Sequence, residues 1–133
     1  MASGIYNRFK ADVFNKEVDL EADTIKVALY NNTHVFTATD NVYTTTDEIT
    51  GTGYTAGGAA LAGKAVTQAA TTKWDATDIE WTTATITAYH AVIYDDTHAT
   101  NDLICNIDFG GAQTSTAGTF KIQWHADGII TLA

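Results

Sequence analysis

Apolar and polar positions along the chain follow two different periods. Between Ile5 and Leu20, the residues Ile5, Tyr6, Phe9, Val13 and Phe14 recur at spacings of three and four, which lays them on one helical stripe. The spacing predicts one short helix, with Ser3 as a candidate N-cap, and the run "NKEVDLEAD" breaks it. From "DTIKVALYNN" onward the period is two. Ile25, Val27 and Leu29 alternate with Lys26, Ala28 and Tyr30, and Asn31-Asn32 closes the strand in a turn, which is also the reading of the formal glycosylation acceptor "NNT". Strand signals then return at short intervals. They fall at Leu61 and Val66, at Trp74, at Ile79 and Trp81, and at Ala91 and Ile93. They continue along Leu103, Cys105, Ile107 and Phe109 and along Phe120, Ile122 and Trp124. Asp127-Gly128 is a strong hairpin signal. Short strands with little helix after the start predict a mainly β fold, an antiparallel sandwich or barrel with one short N-terminal helix. The expected division is a helical segment over residues 1–22 and a β-sandwich domain over 23–133.

Between these strands lies a long polar stretch, "TATDNVYTTTDEITGTGYTAGG", from Thr37 to Gly58. Connections of this length are uncommon inside compact domains and often carry function. It is expected to hold short strands near Val42-Tyr43 and near Ile49 and otherwise to form an exposed contact surface. Its glycines run on into "GAALAGK", where Gly58, Gly63 and Lys64 satisfy a GxxxxGK spacing. A phosphate-binding loop also needs Ser or Thr after the lysine, a strand before and a helix after. Ala65 occupies the hydroxyl position, and Ala56 stands where a GxGxxG pattern needs its third glycine. The glycines are read instead as positive-φ or close-approach positions at a turn entering a strand.

Composition narrows the classes. The 133 residues suit one domain, and 45% hydrophobic content suffices for one core. A net charge of −9 argues against nucleic acid, whose phosphates need clustered Lys and Arg, and favours solubility or contact with a basic surface on a partner protein. The start, "MASGIYNRFKADVF", lacks the apolar core of a secretory signal, and no apolar run approaches the length of a membrane span. The expectation is a soluble protein made in a cytoplasm. The single cysteine, Cys105, forms no internal disulfide, and its apolar neighbours predict burial.

Candidate chemistry is sparse. The histidines His34, His90, His98 and His125 show no zinc spacing, and His90 reads as a satisfied residue of a sheet. Neither Ser3 nor Ser115 lies in a GxSxG context. "YDDTHATND" gathers Asp95, Asp96, His98 and Asp102; oxygen-rich loops can hold calcium, but the EF-hand spacing is absent, and a solvated hairpin loop is the simpler reading. Trp74, Trp81 and Trp124 have the chemistry to stack on sugars, although tryptophans on alternating strands are usually core. No catalytic residue, metal ligand or cofactor-binding residue is assigned.

Taken together, "DTIKVALYNN", "EITGTGYTAGGAALAGKAV", "DIEWTTATITAYHAVIYDD", "LICNIDFGG" and "GTFKIQWHADGIITLA" resemble a family of small structural proteins of tailed bacteriophages. The resemblance covers most of the chain from about Asp23 to the end and, loosely, "YNRFKADVFNKEVDL" before it. It implies a β-rich fold, assembly in the host cytoplasm, a place in the virion and a repeated protein partner, with no catalytic residues. The expected role is a capsid decoration (cement) protein on the major capsid protein lattice, itself a homo-oligomer with a trimer favoured. A tail, collar or fibre component is the alternative, and a carbohydrate-binding module a more distant one. The expected contact residues are Tyr6, Phe9, Val13 and Phe14 on the helix and Val42, Tyr43 and Tyr54 in the polar stretch.

Overall fold

A computed structural model describes residues 3–133. The elements in chain order are β1 (Gly4–Ile5), α1 (Asn7–Phe14), β2 (Ile25–Tyr30), β3 (Ala59–Ala60), β4 (Ala65–Thr67), β5 (Thr72–Asp75), β6 (Ile79–Asp95), β7 (Leu103–Ile122) and β8 (Ile130–Leu132). They form two antiparallel sheets, a five-stranded one of order β1-β7-β6-β2-β3 and a three-stranded one of order β4-β5-β8. The fold is mainly β with a single short helix, as the strand periodicity predicts. The N-terminal segment is joined to the larger sheet, because β1 pairs with β7 through Gly4–Asn106 and Ile5–Cys105.

The long β6–β7 hairpin dominates the molecule. Several separate short strands were expected over this region, because the threonines and glycines of "TTAT" and "GGAQTSTAG" resemble turns. Bulges account for the difference. Trp81 and Ala84 are three residues apart, which in a regular strand puts them on opposite faces. Both are buried, because Thr83 takes up an extra position at φ 48° and the ladder shifts register there. Ala117, at φ 46°, does the same in β7 between its pairings at Ser115 and Gly118. The strands bend and continue where the sequence suggests that they stop.

The main core lies between the sheets. Ile25, Val27 and Leu29 of β2, Trp81, Ile86 and Ile93 of β6, and Ile104 and Phe120 of β7 pack with Trp74 of β5. A second cluster lies on the other face of the larger sheet, with Tyr6, Ala28, Tyr30, Val92, Tyr94 and Leu103 against Phe36 and Tyr43. The polar stretch therefore lies over this face through Tyr43, while its Ile49 and Tyr54 join the main core. Its expected short strands near Val42-Tyr43 and Ile49 are isolated pairings: Val42 opposite Asp102 and Glu48 opposite Tyr30, with Ile49 N donating to Leu29 O at 3.0 Å.

The glycine-rich run lies with its backbone against the sheet. A Cβ on Gly58 would stand 1.8 Å from Val27 O, and one on Gly53 would stand 2.8 Å from Ala84 Cα; both glycines have positive φ, at 76° and 83°. Close backbone approach is therefore what these glycines supply, Gly58 against β2 at the entry to β3 and Gly53 against β6. Lys64 lies before β4, not at the start of a helix. Three local expectations are corrected. The helix is the eight-residue α1 and not Ile5–Leu20; its N-cap is Tyr6, and Ser3 Oγ accepts the Asp108 N–H at 2.9 Å instead. Asp127-Gly128 forms a turn closed by Gly128 N to His125 O at 2.9 Å, but the strands on either side do not pair with each other, because β8 pairs with β5.

Candidate functional site

Helix α1 is fixed by a partly buried ionic contact. Arg8 Nε donates to Asp102 Oδ2 at 2.8 Å and stands 3.2 Å from Asp12 Oδ1. Both carboxylates are buried. Burial, then the neighbouring Asp102, pushes the Asp12 carboxyl up to about 6. Burial also opposes charge on Asp102, but hydrogen bonds from Thr100, Asp12 and Arg8 outweigh it and hold that carboxylate below its ordinary range. This arrangement sets the rotation of the helix. Phe9 and Asp12 face inward, and Phe14 lies about 140° around the helix from Phe9. The predicted single stripe therefore divides. Tyr6 and Phe9 are core, Val13 is 46% exposed and Phe14 is 91% exposed.

The polar stretch is organised by Glu48. Its carboxylate accepts the Tyr43 and Tyr54 hydroxyls, each at 2.5 Å, and the Gly57 N–H at 2.8 Å. Tyr54 OH also accepts the Leu29 N–H at 3.0 Å, Tyr94 OH donates to Gly57 O at 2.7 Å, and Tyr43 stacks on Tyr94 with centroids 4.5 Å apart. Burial, then the adjacent Glu48 carboxylate, raises the pKa values of Tyr43 and Tyr54. The expected contact residues thus separate. Tyr6, Phe9 and Tyr54 are buried, and Tyr43 is half-buried and committed to Glu48 and Tyr94, so these four serve the chain's own packing. Val13, Phe14 and Val42 remain on the surface.

Two recesses are lined by Val42 and by Val13 respectively. One, of about 320 Å³, is floored by Tyr6, Tyr30, Val92 and Leu103, with Val35 and Val42 among its other lining residues. The other, of about 490 Å³, lies beside the end of α1 and is lined by Val13, Val18, Leu20 and Val66 together with Lys16, Glu17, Asp19 and Asp23. The second is the candidate site. Its acidic-apolar alternation "EVDLEAD" reads in sequence only as a break in the helix; Val18, Leu20 and Val66 were not singled out there as surface residues, since nothing local tells where β4 comes to lie. The segment is held in place by Asp19 Oδ1, which accepts the N–H groups of Glu21 and Ala22 at 3.0 Å. Glu21 Oε2 in turn accepts the Val66 N–H at 3.1 Å.

The remaining candidate residues have structural placements. The Asp95–Asp102 loop does connect β6 to β7, but Asp95 and Asp102 are buried, not solvated. Asp95 Oδ1 accepts the N–H groups of Thr97 and His98 at 2.9 and 3.4 Å, and burial, then Asp23, pushes this carboxyl up to about 7. Asp96 pairs with Lys26 at 3.3 Å, and His98 stands 3.5 Å from both Glu17 and Asp102. Among the described residues no group of three or more His, Cys, Asp or Glu converges to hold a metal ion. His90 lies within the sheet as expected and is fully buried, but it is not the satisfied residue expected: among the described residues neither ring nitrogen has a hydrogen-bond partner, and its ring meets His34 edge-on at 4.9 Å. Burial, then His34, lowers its pKa and keeps the imidazole neutral. Cys105 is buried and its thiol pushed up to about 12 by desolvation. Trp74 and Trp81 are core, Trp74 Nε1 donating to Leu20 O at 3.0 Å, while Trp124 is half-buried and donates to Thr77 O at 3.1 Å. No helix among the described residues is long and apolar enough to cross a membrane. Comparison of the chain with family models, with curated proteins and with solved structures gives no match.

Proposed function

We propose that the chain is a structural protein of a tailed-bacteriophage virion, and within the virion a capsid decoration protein that binds the major capsid protein lattice as a homotrimer and stabilises the head. The observation that carries this reading is a division among the side chains. The buried carboxylates Asp12 and Asp102 and the tyrosines around Glu48 are engaged in holding the fold, while exposed apolar side chains gather at the end of α1 beside a recess. Such an arrangement suits a protein that works by surface contact. Decoration multiplies one modest contact by the symmetry of a shell, so a small patch suffices at each position. The buried Trp74 and Trp81 count against sugar stacking as the main activity.

The test is the copy number of the chain in purified phage particles, measured by quantitative mass spectrometry against the major capsid protein. Decoration requires a ratio approaching one copy per capsid subunit. A few copies per particle would move the protein to the tail, collar or fibres, and absence from particles would overturn every virion role.

A further inference from the structure

We infer that the face made by the end of α1, the following segment Glu17–Asp23 and β4 docks a segment of a partner protein that presents an apolar side chain flanked by Lys or Arg. The inference deepens the surface-contact reading above by naming what the partner must offer. Phe14, Val13 and Val66 are exposed large apolar residues, and Val13 and Val66 line the same recess with Val18 and Leu20. Its volume of about 490 Å³ lies within the range of sites that enclose a ligand group, so one or two apolar side chains of a partner fit it.

Charge selects among possible occupants. Glu17, Asp19 and Asp23 line the recess, Glu21 adjoins it, and Lys16 is the one cation among the lining residues. Asp19 and Glu21 accept backbone N–H groups, and no ion pair among the described residues engages either carboxylate. Glu17 faces His98, which adds positive charge only when protonated. An apolar floor with an acidic rim attracts a basic-apolar segment and repels an acidic one. A second copy of this chain brings the same acidic rim and a net charge of −9, so self-association through this face opposes like charges.

The experiment titrates a synthetic peptide of alternating Lys and Leu into the isotope-labelled full chain and follows amide NMR shifts, with a Glu-Leu peptide as control. The expected result is a cluster of shifts over Val13–Asp23 and at Val66 with the basic peptide only. Affinity should fall roughly tenfold or more in Phe14→Asp and in Glu17→Lys, fall with added salt, and stay unchanged in Leu132→Asp. Shifts centred elsewhere, no shifts, equal binding of both peptides, or self-association abolished by Phe14→Asp would each overturn the inference. The same variants are then sedimented with capsid shells prepared without this protein. If wild type binds shells and the two variants bind equally well, this face is not the contact but the capsid reading stands. If wild type does not bind shells while the peptide result holds, the capsid reading fails and the docking face stands.

Discussion

Replacing Asp95 with Asn isolates one buried proton. Among the described residues no donor reaches Asp95 Oδ2, and the neighbouring group is the Asp23 carboxylate, so the stable arrangement places a proton on Asp95 facing Asp23. The folded pKa of Asp95, about 7, lies above its ordinary value of 3.8. Between those values the native chain holds a proton that the unfolded chain has released. The stabilisation is complete below the unfolded value and is lost as pH rises toward 7 and past it. One proton over about three pH units sets a ceiling of about 4 kcal/mol. Asp23 moves the opposite way, its pKa lowered first by the hydrogen bond from Asp95, and returns part of that amount. Solvent at Asp23 screens more, which leaves about 1–2 kcal/mol. Asn supplies a permanent N–H donor toward Asp23 and keeps the Oδ1 acceptor for Thr97 and His98. Urea denaturation, followed by tryptophan fluorescence at about pH 5 and about pH 8, reads the difference between variant and wild type, which cancels other titrating groups such as Asp12 and His90. Asp95→Asn should gain about 1–2 kcal/mol on wild type between the two pH values, about 3–6 °C in Tm. A difference that does not change with pH would refute the shared proton.

Two further substitutions probe the cover over the larger sheet. Gly58→Ala places a Cβ against Val27 O at a positive φ, where backbone must move, and should destabilise by more than about 3 kcal/mol or prevent folding, as judged by circular dichroism and thermal melting. Tyr54→Phe removes one donor from Glu48 and leaves the buried Leu29 N–H without its acceptor; a loss of about 1–3 kcal/mol in urea denaturation is expected, and an unchanged midpoint would show that the Glu48 network does not hold the loop.

The parts of the fold legible in the sequence are those fixed by local period. β2 is bounded by its alternation and its Asn pair, and Cys105 and Trp81 are buried as their neighbours imply. What could not be read depends on contacts distant in sequence. Thr83 and Ala117 sustain β6 and β7 through bulges, and a bulge is a relation between two strands that neither strand states alone. The helix shows the same limit. Its apolar spacing includes Phe14, but the inward face is set by Arg8, which meets Asp102 from the far end of the β6–β7 loop.

The same reasoning explains why the predicted contact residues divided as they did. Tyr43 and Tyr54 sit in a polar, threonine-rich stretch, which in sequence resembles an exposed loop. Glu48 changes that outcome, because one carboxylate with two hydroxyl donors and one backbone N–H satisfies polar groups that would otherwise need water. A tyrosine has a hydroxyl to engage in such a network and a ring to bury beneath it, so it is drawn inward. Phe14 has no polar handle, and as the last residue of α1 it is left 91% exposed by the described residues. Burying its ring against another protein is worth about 1.5–3 kcal/mol by area alone. The chain leaves that stabilisation unused in isolation, one residue along from Val13, which lines an apolar recess with an acidic rim, and a basic-apolar partner segment is the kind of surface that would take it up.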